Sequence, residues 1–207
     1  MNLYGPEAWR LQRRNGLLAI VALCACLSPL FAPEQNGDVR KIVRSTPNGR
    51  ANLFIAKGCV AVGMTLIIWA LFFGREWNQA VHRLGAFLLS APIGSIPMLQ
   101  NGSVTVGSIL TFLYLSKAVL LLIPMCLCIF LGSVSDSFAK GFLMEGAVIL
   151  IPAAAYHFGA DIGILTPLGL MADQTILLTG SGAGTIVCWC ILAVLSIFVA
   201  KKRWCDR

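Results

Sequence analysis

Six stretches of this chain carry no charged side chain: residues 15–33, 58–74, 84–116, 118–135, 146–160 and 174–200. A helix rising about 1.5 Å per residue needs roughly 20 mostly apolar residues to cross ~30 Å of hydrocarbon. Several of the stretches meet that length, and 84–116 is long enough for a hairpin. A lone strand cannot satisfy its own backbone in lipid, and barrel strands would read as short alternating segments rather than continuous apolar runs. The pattern therefore predicts an all-α fold, a polytopic integral membrane helical bundle. Composition agrees. Only 12% of residues are charged and the mean hydropathy is +0.81, where a soluble domain carries roughly 25% charge.

About six transmembrane helices are expected, within a range of five to seven. They lie at Gly16–Ala32, Leu53–Phe73, Leu84–Leu99, within Val106–Val134, at Phe142–Ala160 and at Thr175–Ala200. Residues 162–171 are apolar but too short to span, and Pro167 lies between Gly163 and Gly169. This fits a short re-entrant or interfacial segment, which needs protein or a cavity around it. Residues 1–207 read as a single transmembrane domain with a polar loop at 33–52, rich in turn signals such as Asn36-Gly37 and Asn48-Gly49, and a basic tail at 201–207. Shorter polar loops are expected at Gly74–Arg83, Gln100–Thr105 and Ser135–Gly141.

The net charge of +7 is that of basic residues flanking membrane segments, not of a nucleic-acid surface, and no nucleic-acid partner is expected. Six spans would put both ends on one side. That side would hold Arg10, Arg13, Arg14, Arg75, Arg83, Lys140, Lys201, Lys202, Arg203 and Arg207, against Arg40, Lys41, Arg44, Arg50 and Lys57 in the first loop. The excess of positive charge then places both termini in the cytoplasm, in a membrane of the bacterial inner type. Inverting the first segment would instead move the five-charge loop inside. That segment reads as a retained helix. Cleavage as a signal peptide, or lipidation at Cys26 within Leu23-Cys24-Ala25-Cys26, are the alternatives, and Pro33 directly after the apolar run argues against cleavage.

Six of the eight cysteines form three C-x-C pairs, Cys24/Cys26, Cys126/Cys128 and Cys188/Cys190. Residues two apart on a helix point about 200° away from each other, so no pair can grip one ion or close a disulfide. Cysteine is then expected to serve as small apolar packing, and no metal site, cofactor or catalytic residue is predicted. Convergence of pairs from different helices stays open. Gly180-Ser181-Gly182-Ala183-Gly184 lacks the lysine and preceding strand of a phosphate loop, and reads as close helix packing.

Four polar residues in or beside the apolar runs are the candidate functional positions: Lys117, Asp161, Glu145 and His157. His157 and Asp161 are spaced to share a helical face, suiting either a proton relay or an interfacial cap. Lys117 interrupts an apolar run, where a mid-bilayer charge costs about 2.5–3.5 kcal/mol. It must snorkel to an interface or meet a partner. On depth along antiparallel helices, Asp161 is the expected partner ahead of Glu145.

Multi-histidine boxes are excluded by a total of two histidines, and clustered intramembrane acids are lacking. The expected role is an integral membrane subunit of a larger assembly, of secretion, conjugation or transport machinery, structural or channel-lining. Its partners would be the lipid bilayer and other membrane subunits. A small channel or transporter, or a lipid-acting membrane enzyme, are the competing readings.

Overall fold

The computed structural model describes residues 6–31, 49–90, 105–135, 137–158, 166–172 and 183–206. Its elements are helices: α1 (Pro6–Phe31), α2 (Gly49–Leu89), α3 (Val106–Val134), α4 (Phe138–Glu145), a π-helical turn (Gly146–Leu150), α5 (Ile151–His157), α6 (Pro167–Ala172) and α7 (Ala183–Asp206). Five runs among the described residues are long and apolar enough to cross a membrane: Arg14–Phe31, Ala51–His82, Val106–Val134, Phe138–His157 and Ala183–Cys205. The chain is a polytopic helical membrane protein, as its charge spacing predicts.

Helix α3 is the axis of the bundle. Apolar residues cover all its faces, and such a helix is buried rather than amphipathic. Leu110, Leu113, Leu120, Leu121, Ile123, Cys128 and Ile129 are all buried, and α1, α2, α4, α6 and α7 pack against this helix. Its start is set by a reciprocal cap: Ser108 N–H donates to Thr105 Oγ1 and Thr105 N–H donates to Ser108 Oγ, satisfying two amides that the first turn leaves orphaned.

Helix directions follow from named contacts. Asn15 of α1 meets Glu76 of α2, and Phe31 meets Phe54, so these two helices are antiparallel. Cys24 meets Cys128, and a Cβ on Gly132 would lie 3.1 Å from Phe31 Cβ, so α1 and α3 run the same way. One end of the bundle is closed by an aromatic clamp. Phe31, Phe54 and Trp204 pack with ring centroids 6.1–6.2 Å apart. Lys57 Nζ sits over Phe31 and Trp204, 5.7 and 5.1 Å from their centroids, and donates to Leu30 O at 2.6 Å. That bond satisfies a carbonyl at the C-terminus of α1, where a cation is also favoured by the helix dipole.

The clamp bears on the expected placement of the termini on one side. Trp204, in the last turn of α7, touches the last residue of α1, whereas Pro6 lies at the other end of that helix. The runs of spanning length among the described residues number five, which is odd. Residues 84–89, expected to open a third span, are instead the end of α2, and 91–99 lie outside the described residues. The polar loop expected at Gly74–Arg83 is likewise helical. Within α2 the helix breaks at Gly85, whose φ of 68° and ψ of 163° are readily available to glycine alone.

The fourth crossing is not a regular helix. Pro152 has no N–H to offer Val148, and the preceding residues widen into the π turn, where Ile151 N–H donates to Gly146 O. The short α6 is seated inside the protein: Leu168, Leu170 and Met171 are buried, and a Cβ on Gly16 would come within 2.6 Å of Leu168 Cδ1. This fits the non-spanning segment expected at 162–171, of which residues 162–165 lie outside the described set.

Candidate functional site

Two buried polar clusters lie at different depths of the bundle. The first is built on Lys117, which is 1% exposed. Its Nζ lies 3.3 Å from Glu76 Oε2, and Asn15 Nδ2 donates to Glu76 Oε1 at 2.6 Å. One carboxylate thus ties α1, α2 and α3 together, using both oxygens. The ammonium also sits 5.0 Å from the Phe73 ring centroid and 4.6 Å from that of Tyr114. Both distances are within cation–π range. Trp77 packs edge-on against Tyr114 at 5.3 Å, and Trp69 Nε1 donates to Tyr114 O at 3.1 Å.

Among the described residues the acid that meets Lys117 is Glu76, which was not among the expected partners. Asp161 lies outside the described residues. Glu145 lies at the depth of Cys128, and Lys117 to Cys128 is already ~16 Å of helix. The sequence does hold a signal for Glu76. Ala61, Thr65, Ile68, Phe73 and Ala80 form the inward stripe of α2, and Glu76 falls on that stripe at helical spacing. A loop assignment at Gly74–Arg83 concealed it. The cluster lies level with the exposed Arg14 and Arg75, so Lys117 is both paired and close to the boundary opposite the aromatic clamp.

The second cluster lies toward the clamped end, ~16 Å along α3 from Lys117. The Cys128 thiol donates to Cys24 Sγ at 3.7 Å. A Glu145 carboxylate oxygen and the two sulfurs all lie within 4.8 Å of one another. All three residues are buried, Glu145 at 0% exposure, and neither Glu145 oxygen has a hydrogen-bond partner. Ser28, one turn after Cys24, also keeps a buried Oγ without a partner. Other buried hydroxyls in the bundle bond back to their own helix, Thr65 to Ala61 O at 2.8 Å and Ser196 to Ala193 O at 2.8 Å, the usual way a hydroxyl is satisfied in lipid.

Glycine sets this second geometry. A Cβ at Gly141 would lie 2.7 Å from Ser135 Oγ and 3.7 Å from Ser28 Oγ. The absence of a side chain lets α4 lie on α1, and Glu145, one turn further, then faces Cys24. The expected divergence within a C-x-C pair holds for the first one, with Cys24 buried and Cys26 exposed. The convergence of Cys24 with Cys128 is between two pairs, which spacing along one helix cannot reveal.

His157 ends α5, with its ring edge-on to Phe158 at 5.5 Å and a buried Nδ1 that has no hydrogen-bond partner. The chain matches no known protein family, no curated protein and no solved structure, so function is read from its own geometry.

Proposed function

We propose that this protein is an integral membrane subunit of a larger membrane assembly, of secretion, conjugation or transport machinery, with a structural or channel-lining role. The observation that carries this reading is the length of α2. It runs from Gly49 to the break at Gly85, ~54 Å of helix and nearly twice the hydrocarbon thickness. Measured from Phe54 at the clamped end, ~30 Å of helix is used by residue 74. The helix from Gly74 to the break at Gly85 therefore extends past the boundary marked by Arg14 and Arg75, with Asn78, Gln79 and His82 exposed. A helical extension of that size is marginal alone in water and gains stability by docking. The Asn15–Glu76–Lys117 tie at its base is internally neutralised and enclosed by aromatics, which suits a scaffold better than a conduction path.

The orientation that goes with this reading puts the clamped end in the cytoplasm of a bacterial inner membrane. In a five-span topology that side holds Arg40, Lys41, Arg44, Arg50, Lys57, Lys140, Lys201, Lys202, Arg203 and Arg207, and the other holds Arg10, Arg13, Arg14, Arg75 and Arg83. The C-terminus is then cytoplasmic and the N-terminus on the opposite face, following the positive-charge bias.

A photo-crosslinker at Gln79, followed by purification in mild detergent, tests the assembly reading. The expected result is a stoichiometric membrane-protein partner cross-linked at Gln79 and absent when the crosslinker is moved to Leu71 on the lipid side. A lone particle without cross-links, coupled with solute flux in proteoliposomes that depends on Lys117, would replace it by the transporter reading.

A further inference from the structure

We propose that Cys24, Cys128 and Glu145 form an intramembrane site for a divalent metal ion of the zinc class. The Sγ–Sγ separation of 3.7 Å is the distance that two ~2.3 Å zinc–thiolate bonds subtend at about 107°, close to the tetrahedral angle. A linear two-coordinate Cu(I) site would hold its sulfurs farther apart and would have no use for a carboxylate. Glu145 brings a third donor within 4.8 Å of both sulfurs. Its two oxygens are fully buried and bonded to nothing, and an ionisable group left so in a membrane interior is costly unless it serves a ligand.

Two further observations converge on the same place. The unpartnered Ser28 Oγ stands one turn along α1 from Cys24, beside Gly141 on the face that carries Glu145. It offers a neutral oxygen for the fourth position, directly or through a water. Glu145 also immediately precedes the π-helical turn Gly146–Leu150, a distortion common at functional sites because it redirects side chains at the cost of regular hydrogen bonding. The two thiols and the carboxyl bind as anions, so each ion that enters releases to the aqueous phase the protons these three groups carry. Besides these S–H and O–H bonds, only the coordinate bonds to the ion change, and no oxidation state changes. The site is independent of the subunit reading, since neither Gln79 nor the α2 extension takes part in it.

The test uses the full chain, purified in detergent, with Cys26, Cys59, Cys126, Cys188, Cys190 and Cys205 replaced by alanine. Co²⁺ serves as the spectroscopic probe and Zn²⁺ as its competitor. The expected result is one Co²⁺ per chain, a near-ultraviolet thiolate-to-metal charge-transfer band, intense tetrahedral visible bands, and complete displacement by one equivalent of Zn²⁺. Cys24→Ala or Cys128→Ala should lower the charge-transfer band by half or more, and Glu145→Gln should weaken Co²⁺ binding at least tenfold. No Co²⁺ spectrum in the parent chain, or a band unchanged by Cys24→Ala, would overturn the proposal. A second measurement needs no variant of the site itself. Zn²⁺ should protect Cys24 and Cys128 of the parent chain from a small membrane-permeant maleimide, and equal labelling with and without Zn²⁺ counts against the site.

Discussion

Lys117 and Glu76, on antiparallel helices and separated by 3.3 Å, form an ion pair whose acid is also held by Asn15 from a third helix. Removing one member of a buried pair leaves the other without compensation, at a cost on the order of 3 kcal/mol, whereas replacing both by neutral groups of similar size is far milder. Lys117→Met and Glu76→Gln should therefore each lower the unfolding temperature in detergent markedly, and the two combined should recover most of the loss. Thermal unfolding of the two single variants and the double gives the coupling energy, expected to exceed about 1 kcal/mol. Strict additivity would mean that the two charges do not meet.

The aromatic clamp makes a topological prediction. Asn52→Cys and Lys202→Cys, each in a cysteine-depleted chain, should show the same accessibility to an impermeant thiol reagent in intact cells, and Ala8→Cys the opposite one. The reason is that Phe54 and Trp204 meet at Phe31, at the far end of α1 from Ala8. Identical labelling at positions 8 and 202 would contradict a five-span chain.

Glycine positions separate close approach from open space. Gly132→Val would drive a side chain into Phe31, whose Cβ lies 3.1 Å from the added Cβ, and should cost about 1–3 kcal/mol as an overpacked contact. Gly146→Ala meets nothing within 4 Å and should be near neutral. Denaturation in detergent, with Trp204 fluorescence as a local probe of the clamp, distinguishes them.

At Gly85 the cost is in the backbone. An added Cβ has no neighbour within 4 Å, but φ is 68°. Gly85→Ala should either cost on the order of 1–3 kcal/mol or straighten the end of α2. Spin-label distances between positions 79 and 88 report the second outcome as a lengthening toward the value for an unbroken helix.

The helical membrane class was legible in the charge spacing because hydrocarbon imposes its thickness and its demand for satisfied backbone directly on the order of residues. The candidate site was legible only in part. Lys117 and Glu145 stood out as charged groups in apolar surroundings, which is a property of sequence neighbours. Glu76 did not, because Arg75, Asn78 and Gln79 surround it with polar residues that resemble a loop, and its burial depends on which face of α2 meets α3.

The sequence by itself determined that this chain crosses a membrane as helices, that a single C-x-C pair cannot chelate, and that a charge on α3 requires a partner or an interface. Each is a local consequence of helix rise, helix rotation and the cost of a charge in lipid. Tertiary structure decided that Glu76 is the partner, that Cys24 and Cys128 face Glu145, and that Phe31, Phe54 and Trp204 close one end. Those outcomes depend on helix direction and rotation. Residues with small or missing side chains, Gly16, Gly132 and Gly141, set how near α1 lies to α3, α4 and α6, and that spacing has no counterpart in the linear order of the chain.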